Sequence, residues 1–173
     1  MKTVPIAIVG FMGCGKTAVA EMLAALLDRK VIDLDELITR QHARTPAEII
    51  KEDGEAAFRS IETSALKDLL QSGYDGVVSI GGGGWIELAN RRLLRESGAM
   101  TVWLDAPFEV CWQRIETARE VRPMAPTKDK ARTLFEQRQP IYRTATIRVA
   151  TGSDDSLESL VVRVKAAIER VQS

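Results

Sequence analysis

Short apolar runs punctuate the chain, separated by longer stretches in which apolar residues recur at three- and four-residue intervals. The runs Val4–Val9, Val31–Asp33, Val77–Ile80, Thr101–Leu104 and Ile147–Val149 have the length and composition of buried strands. Between the first two, KTAVAEMLAALLD combines helix-forming residues with apolar positions at helical spacing. At Thr45–Glu48, TPAE reads as a helix start, with Thr45 as cap, Pro46 in the first turn and Glu48 closing a capping box. The segment 54–71 predicts a long helix before a turn at Gly73. DAPFEVCWQRI predicts another behind Asp105, and 157–171 a last one. Strands alternating with helices in this way predict parallel βαβ units in one α/β domain over 1–173. One stretch fits neither period. Residues 116–131, ETAREVRPMAPTKDKA, are charged, carry two prolines and predict a mobile lid.

Directly after the first strand comes GFMGCGKT, Gly10 to Thr17, which matches G-x-x-x-x-G-K-[ST] at every fixed position. Glycines let the backbone curl so that successive N–H groups converge on phosphate oxygens, and the next helix presents its positive end to the same anion. Gly13, Cys14, Gly15, Lys16, Thr17 and Ala18 are therefore expected to bind ATP or GTP. Lys16 would reach the β- and γ-phosphates and Thr17 would ligate Mg²⁺ directly. Cys14 sits among these donors, a setting that favours thiolate, so it is expected to react faster than Cys111 and to be protected by nucleotide.

The second strand ends in IDLD, which puts Asp33 and Asp35 at its carboxyl end, where ligands of open α/β sheets bind. If the strand continues, both carboxylates share one side. They then suit a water-bridged Mg²⁺ and acceptance of a hydroxyl proton; alternatively they are the acidic start of a helix. Arg59 and Glu62 in GEAAFRSIE lie on one helical face. SIGGGGW places four glycines after the third strand, where side chains would block a ligand from backbone N–H groups. Arg122 in VRPMA and Arg138 in EQRQPIYR follow.

The ordered set GFMGCGKT, DLD, GEAAFRSIE, SIGGGG, VRP and RQPIYR resembles the shikimate kinases, of the nucleoside-monophosphate-kinase-like branch of P-loop proteins. The resemblance implies a three-layer α/β/α fold with a five-stranded parallel sheet and a lid. It also implies ATP-dependent phosphorylation of the 3-hydroxyl of shikimate, a step toward chorismate and the aromatic amino acids. It assigns Asp35 to the substrate hydroxyls and the base role, and Arg59 and Arg138 to the shikimate carboxylate. Gly81, Gly82 and Gly83 would lie beside the ring, and Glu62 would orient an arginine. Arg122 would reach both ligands from the lid. Asp33 and Ser79 would hold Mg²⁺ through water. The chain departs from the family pattern at Ile50, where an aromatic often lines the acceptor pocket, at Met124, and at Trp85, which is expected near the site. Arg114 and Arg119 both suit the arginine that stacks on adenine. A kinase of another polyhydroxylated acid such as gluconate would share the P-loop and lid but has no need of the R-x-P-x-Y arginine. A nucleotide-binding pseudoenzyme should have lost part of this set.

Composition narrows the partners. The 24 basic and 24 acidic residues balance, which argues against a nucleic-acid surface or a basic membrane patch. No run approaches the ~20 apolar residues of a membrane span, and MKTVPIAIVGFMG reads as a strand, not a signal peptide. Two cysteines make no disulfide framework. A cytoplasmic monomer is expected, with the lone His42 outside the chemistry.

Overall fold

The structure is a computed structural model and describes residues 4–118 and 127–172. Its elements run β1 (Ile6–Val9), α1 (Lys16–Leu26), β2 (Val31–Asp33), α2 (Leu34–His42), α3 (Pro46–Asp53), α4 (Glu55–Gln71), β3 (Val77–Ser79) and α5 (Leu88–Glu96). They continue with β4 (Met100–Asp105), α6 (Phe108–Ala118), α7 (Lys128–Tyr142), β5 (Ile147–Ala150) and α8 (Leu157–Gln172). The five strands form one parallel sheet in the order β2-β3-β1-β4-β5.

Burial follows position in that sheet. All four residues of the central β1 are buried, as a strand covered on both faces requires, whereas the edge strand β5 alternates buried with exposed. Helices α1 and α8 pack on each other and on the sheet, while α5 packs on β4 and α4, giving an α/β/α sandwich. Thr45 caps α3 in the expected capping box, accepting from the Glu48 amide while the Glu48 carboxylate accepts from the Thr45 amide. No described helix is long and apolar enough to cross a membrane.

Two expectations change. Helix α5 carries five polar residues among nine, so its apolar signal is thin, and the sequence pattern passes over it. The stretch read as a lid is helical at both ends: 116–118 finish α6, and Thr127 caps α7 through the Lys130 amide. Its centre, 119–126, lies outside the described residues, and with it Arg119, Arg122 and Met124.

Candidate active site

The turn between β1 and α1 is held against α6. Gly13 has φ 77°, and a Cβ there would meet the Cys111 carbonyl oxygen at 2.5 Å, so only glycine permits this approach. Gly15 precedes α1 without any side-chain cap. The first-turn amides of Lys16, Thr17 and Ala18 thus lack intrahelical acceptors and stand at the positive end of the helix, which suits an anion. The half-buried Lys16 folds back over the turn, its Nζ donating to the Phe11 carbonyl at 3.0 Å.

The Thr17 hydroxyl donates to Asp33 Oδ2 at 2.8 Å, while Asp33 Oδ1 accepts from the amides of Asp35 (3.0 Å) and Glu36 (3.4 Å). Strand β2 stops at Asp33, which caps α2, so Asp35 stands in the first turn of a helix. Strand alternation therefore does not explain the carboxylate pair. The acidic-helix-start alternative gives the local geometry, and the helix still turns Asp35 into the cleft. Ser79 lies beside Asp33 in the β2–β3 register. Lys16, Thr17, Asp33, Asp35 and Ser79 line one cleft of about 310 Å³ with Gly13, Gly15, Gly81 and Gly82.

Mg²⁺ fits this donor set. Thr17, Asp33 and Ser79 offer hard oxygens at the foot of a phosphate cradle, matching an ion that keeps waters and phosphate ligands. Among the described residues no three His, Cys, Asp or Glu side chains are placed to hold a metal alone.

Across the cleft, three consecutive glycines meet three functional side chains. A Cβ on Gly81 would stand 3.1 Å from Asp35 Oδ1, and one on Gly82 3.6 Å from Arg138 Nη1. On Gly83 a Cβ would fall 2.1 Å from Arg59 Nη2, so this guanidinium lies directly on backbone and any side chain there would expel it. Arg138 is only 7% exposed. One turn later Tyr142 stacks on Trp103 and donates to the Gly82 carbonyl, tying α7 to the glycine segment.

Arg59 is oriented by acids: Nη1 to Glu62 Oε2 at 2.8 Å and Nη2 to Glu55 Oε1 at 3.3 Å. Glu62 is fully buried, and its Oε1 finds no hydrogen-bond partner among the described residues. Burial, reinforced by the negative charges of Asp35 and Glu87, outweighs the pull of Arg59 and pushes the Glu62 carboxyl up to about 7. An ordinary glutamate in the unfolded chain titrates near 4.5. Between those values the folded protein keeps a proton that the unfolded chain releases. The contribution of Glu62 to stability is expected to be fully present below the lower value and to be lost as pH rises through the upper one. The slope is at most about 1.4 kcal/mol per pH unit. Urea denaturation at several pH values should show that decline in the parent protein and a flatter profile in Glu62→Gln.

Two expectations are corrected. Cys14 is turned inward and buried, and desolvation raises its thiol pKa despite Lys16 and Arg114 nearby. It is not a poised thiolate. Cys111 is also buried, its thiol pushed up to about 12. Native protein should therefore label slowly at both, and rapidly at both in denaturant. Peptide mass spectrometry after timed alkylation checks this. Trp85 points away from the cleft: it is buried, and its Nε1 donates to the Ile141 carbonyl at 3.1 Å. Ile50 is half-buried and packs against the core.

Of the two adenine-side candidates, Arg114 stands over the phosphate turn, donating to the Gly13 carbonyl at 3.3 Å. Three supports escaped sequence reasoning. Asn90 donates to the Gly84 carbonyl, Arg91 to those of Trp85 and Ile86, and Tyr142 to Gly82. Asn90 and Arg91 bond to backbone, a role that residue type and spacing do not announce.

The shikimate kinase family model matches residues 12–169. The shikimate kinase of Cereibacter sphaeroides is 40% identical over 166 residues, covering 94% of this chain and 81% of its own. Among solved structures, the shikimate kinase of Acinetobacter baumannii in complex with shikimate superposes with a TM-score of 0.88 at 32% identity, over 97% of this chain and 94% of that one. The shikimate kinase of Bacteroides thetaiotaomicron gives 0.85 at 29%, over 96% and 99%. With the phosphate turn, the capped carboxylate and the arginine-flanked glycines on one sheet edge, and with sequence likeness over nearly its whole length, this chain belongs to the shikimate kinase family.

Proposed function

We propose that the protein transfers the γ-phosphoryl group of ATP to the 3-hydroxyl of shikimate, giving shikimate 3-phosphate and ADP on the route to chorismate and the aromatic amino acids. The observation that carries this reading is the convergence of Asp35, Arg138 and Arg59 on Gly81, Gly82 and Gly83, across from the phosphate turn. A small acid bearing a ring of hydroxyls matches that arrangement. Planar guanidinium forks suit its carboxylate, glycine backbone admits the ring, and a carboxylate meets the hydroxyl that reacts. The A. baumannii relative, solved with shikimate, supports the same acceptor.

In this reading the turn amides and Lys16 hold the transferring phosphate. Thr17 would hold Mg²⁺, with Asp33 and Ser79 supporting it through water, and the ion would supply charge neutralisation at the phosphates. Asp35 orients the 3-hydroxyl in line with the γ-phosphorus and takes its proton as the new O–P bond forms and the bond to the ADP oxygen breaks. Transfer of this kind asks the protein for positioning and charge neutralisation. Arg122, outside the described residues, is assigned the lid position that reaches both ligands. Gly13, Cys14, Gly15 and Ala18 contribute backbone alone.

Arg59→Ala and Arg138→Ala each remove charge-assisted hydrogen bonds to the acceptor carboxylate, about 1.5–3 kcal/mol. Shikimate affinity is expected to fall roughly ten- to a hundredfold, with ATP affinity little changed; calorimetry with each ligand separates the two. Coupled assay of ADP release with shikimate, quinate and gluconate side by side tests the proposal. Turnover confined to shikimate is expected, and preference for gluconate would overturn it.

A further inference from the structure

A second cleft, about 350 Å³, opens at the amino-terminal end of β4 and β5, opposite the edge that carries the phosphate turn, and shares no lining residue with the first. Its helical wall presents Arg91, Arg92 and Arg95, spaced so that Arg95 shares a face with each of the others. Among the described residues no acidic side chain lines it, and neither Arg92 nor Arg95 forms an ion pair. Glu96, four residues after Arg92, leaves it unpaired. Like charges so placed repel one another. The carbonyl end of α5 offsets part of that repulsion for Arg95, but not for Arg92.

The remaining walls differ in character. The buried Trp85 and the exposed Leu88 give an apolar side, and the Thr101 and Thr146 hydroxyls, 3.1 Å apart, close the base. Arg91 is already fixed, donating to the Trp85 carbonyl at 2.9 Å and the Ile86 carbonyl at 2.8 Å. Arg92 and Arg95 are exposed and retain their full donor sets. Uncompensated guanidinium forks beside an aromatic and aliphatic wall match a carboxylate or phosphate monoester carried on an apolar ring.

We propose that this cleft is a second ligand site, distinct from the phosphate cradle, that binds a small organic anion of that class through Arg92 and Arg95. The fixed Arg91 ties this wall to Trp85 and Ile86, the two residues that follow the glycine segment.

The test is calorimetric titration of the full chain, with the nucleotide and acceptor sites saturated by Mg·ADP and shikimate, using benzoate and phenyl phosphate as probes and neutral benzamide as control. The proposal expects one saturable site for at least one anion, with a dissociation constant below about 10 mM, and no binding of benzamide. In Arg92→Ala/Arg95→Ala, where both side chains are exposed, anion affinity should drop about tenfold or more while ADP affinity and the thermal melt stay unchanged. Equal affinity of the double variant for the anions would overturn the proposal, as would absence of saturable binding to the parent protein.

Discussion

Replacing Lys16 by alanine is expected to remove turnover, a fall of about a thousandfold or more, while the protein stays folded. The side chain contributes little to the fold: its ammonium is half-buried and makes one hydrogen bond, to the Phe11 carbonyl. Its loss leaves the turn intact, because Gly13 is held by α6 and α1 still starts beyond Gly15. What disappears is the positive charge assigned to the β- and γ-phosphates, and among the described residues no neighbouring cation is positioned to replace it except Arg114, which is directed to the Gly13 carbonyl. Circular dichroism and a thermal melt should match the parent, and steady-state assay should show the loss in kcat. Near-normal turnover in a folded variant would overturn the assignment of the turn as the phosphate cradle.

Asp35→Asn is the second large effect, and it separates chemistry from grip. Asparagine keeps the shape and one acceptor oxygen beside Gly81 but loses the charge that the proposed mechanism uses to take up the hydroxyl proton. Turnover is expected to fall at least about a hundredfold, equivalent to about 2.7 kcal/mol. Shikimate binding should fall much less, because the proposed function has Arg59 and Arg138 hold the acid end from two other helices. A loose, metaphosphate-like transition state needs little proton abstraction before it forms, so part of the loss reflects orientation of the hydroxyl. A drop in binding as large as the drop in kcat would make Asp35 a ground-state anchor. Unchanged kcat would remove it from the mechanism and transfer attention to Asp33.

Legibility in the sequence tracked how local the physics was. The phosphate turn, the Thr45 capping box and the five apolar runs are decided by residues close in the chain, and the structure places all of them where the pattern puts them. The order β2-β3-β1-β4-β5 is a long-range property with no local signature. Asp33 and Asp35 were legible as a pair, with strand alternation and an acidic helix start both open; the structure takes the second, because the Asp33 carboxylate captures two amides and starts a helix. Cys14 fails for a related cause. Sequence shows its neighbours Gly13 and Lys16 but not that its side chain turns into the core beneath them. The glycines were legible as space for a ligand. That each accommodates a different partner, from α2, α7 and α4 in turn, needed the three-dimensional arrangement.

The most direct test of the account is the structure of the product. Incubating the enzyme with Mg·ATP and shikimate and recording phosphorus and proton NMR of the purified product identifies which oxygen has been phosphorylated. The account predicts one phosphate ester, its phosphorus coupled to the proton on carbon 3, formed in step with ADP. Phosphate on another hydroxyl, or ADP appearing without any phosphorylated shikimate, would contradict it.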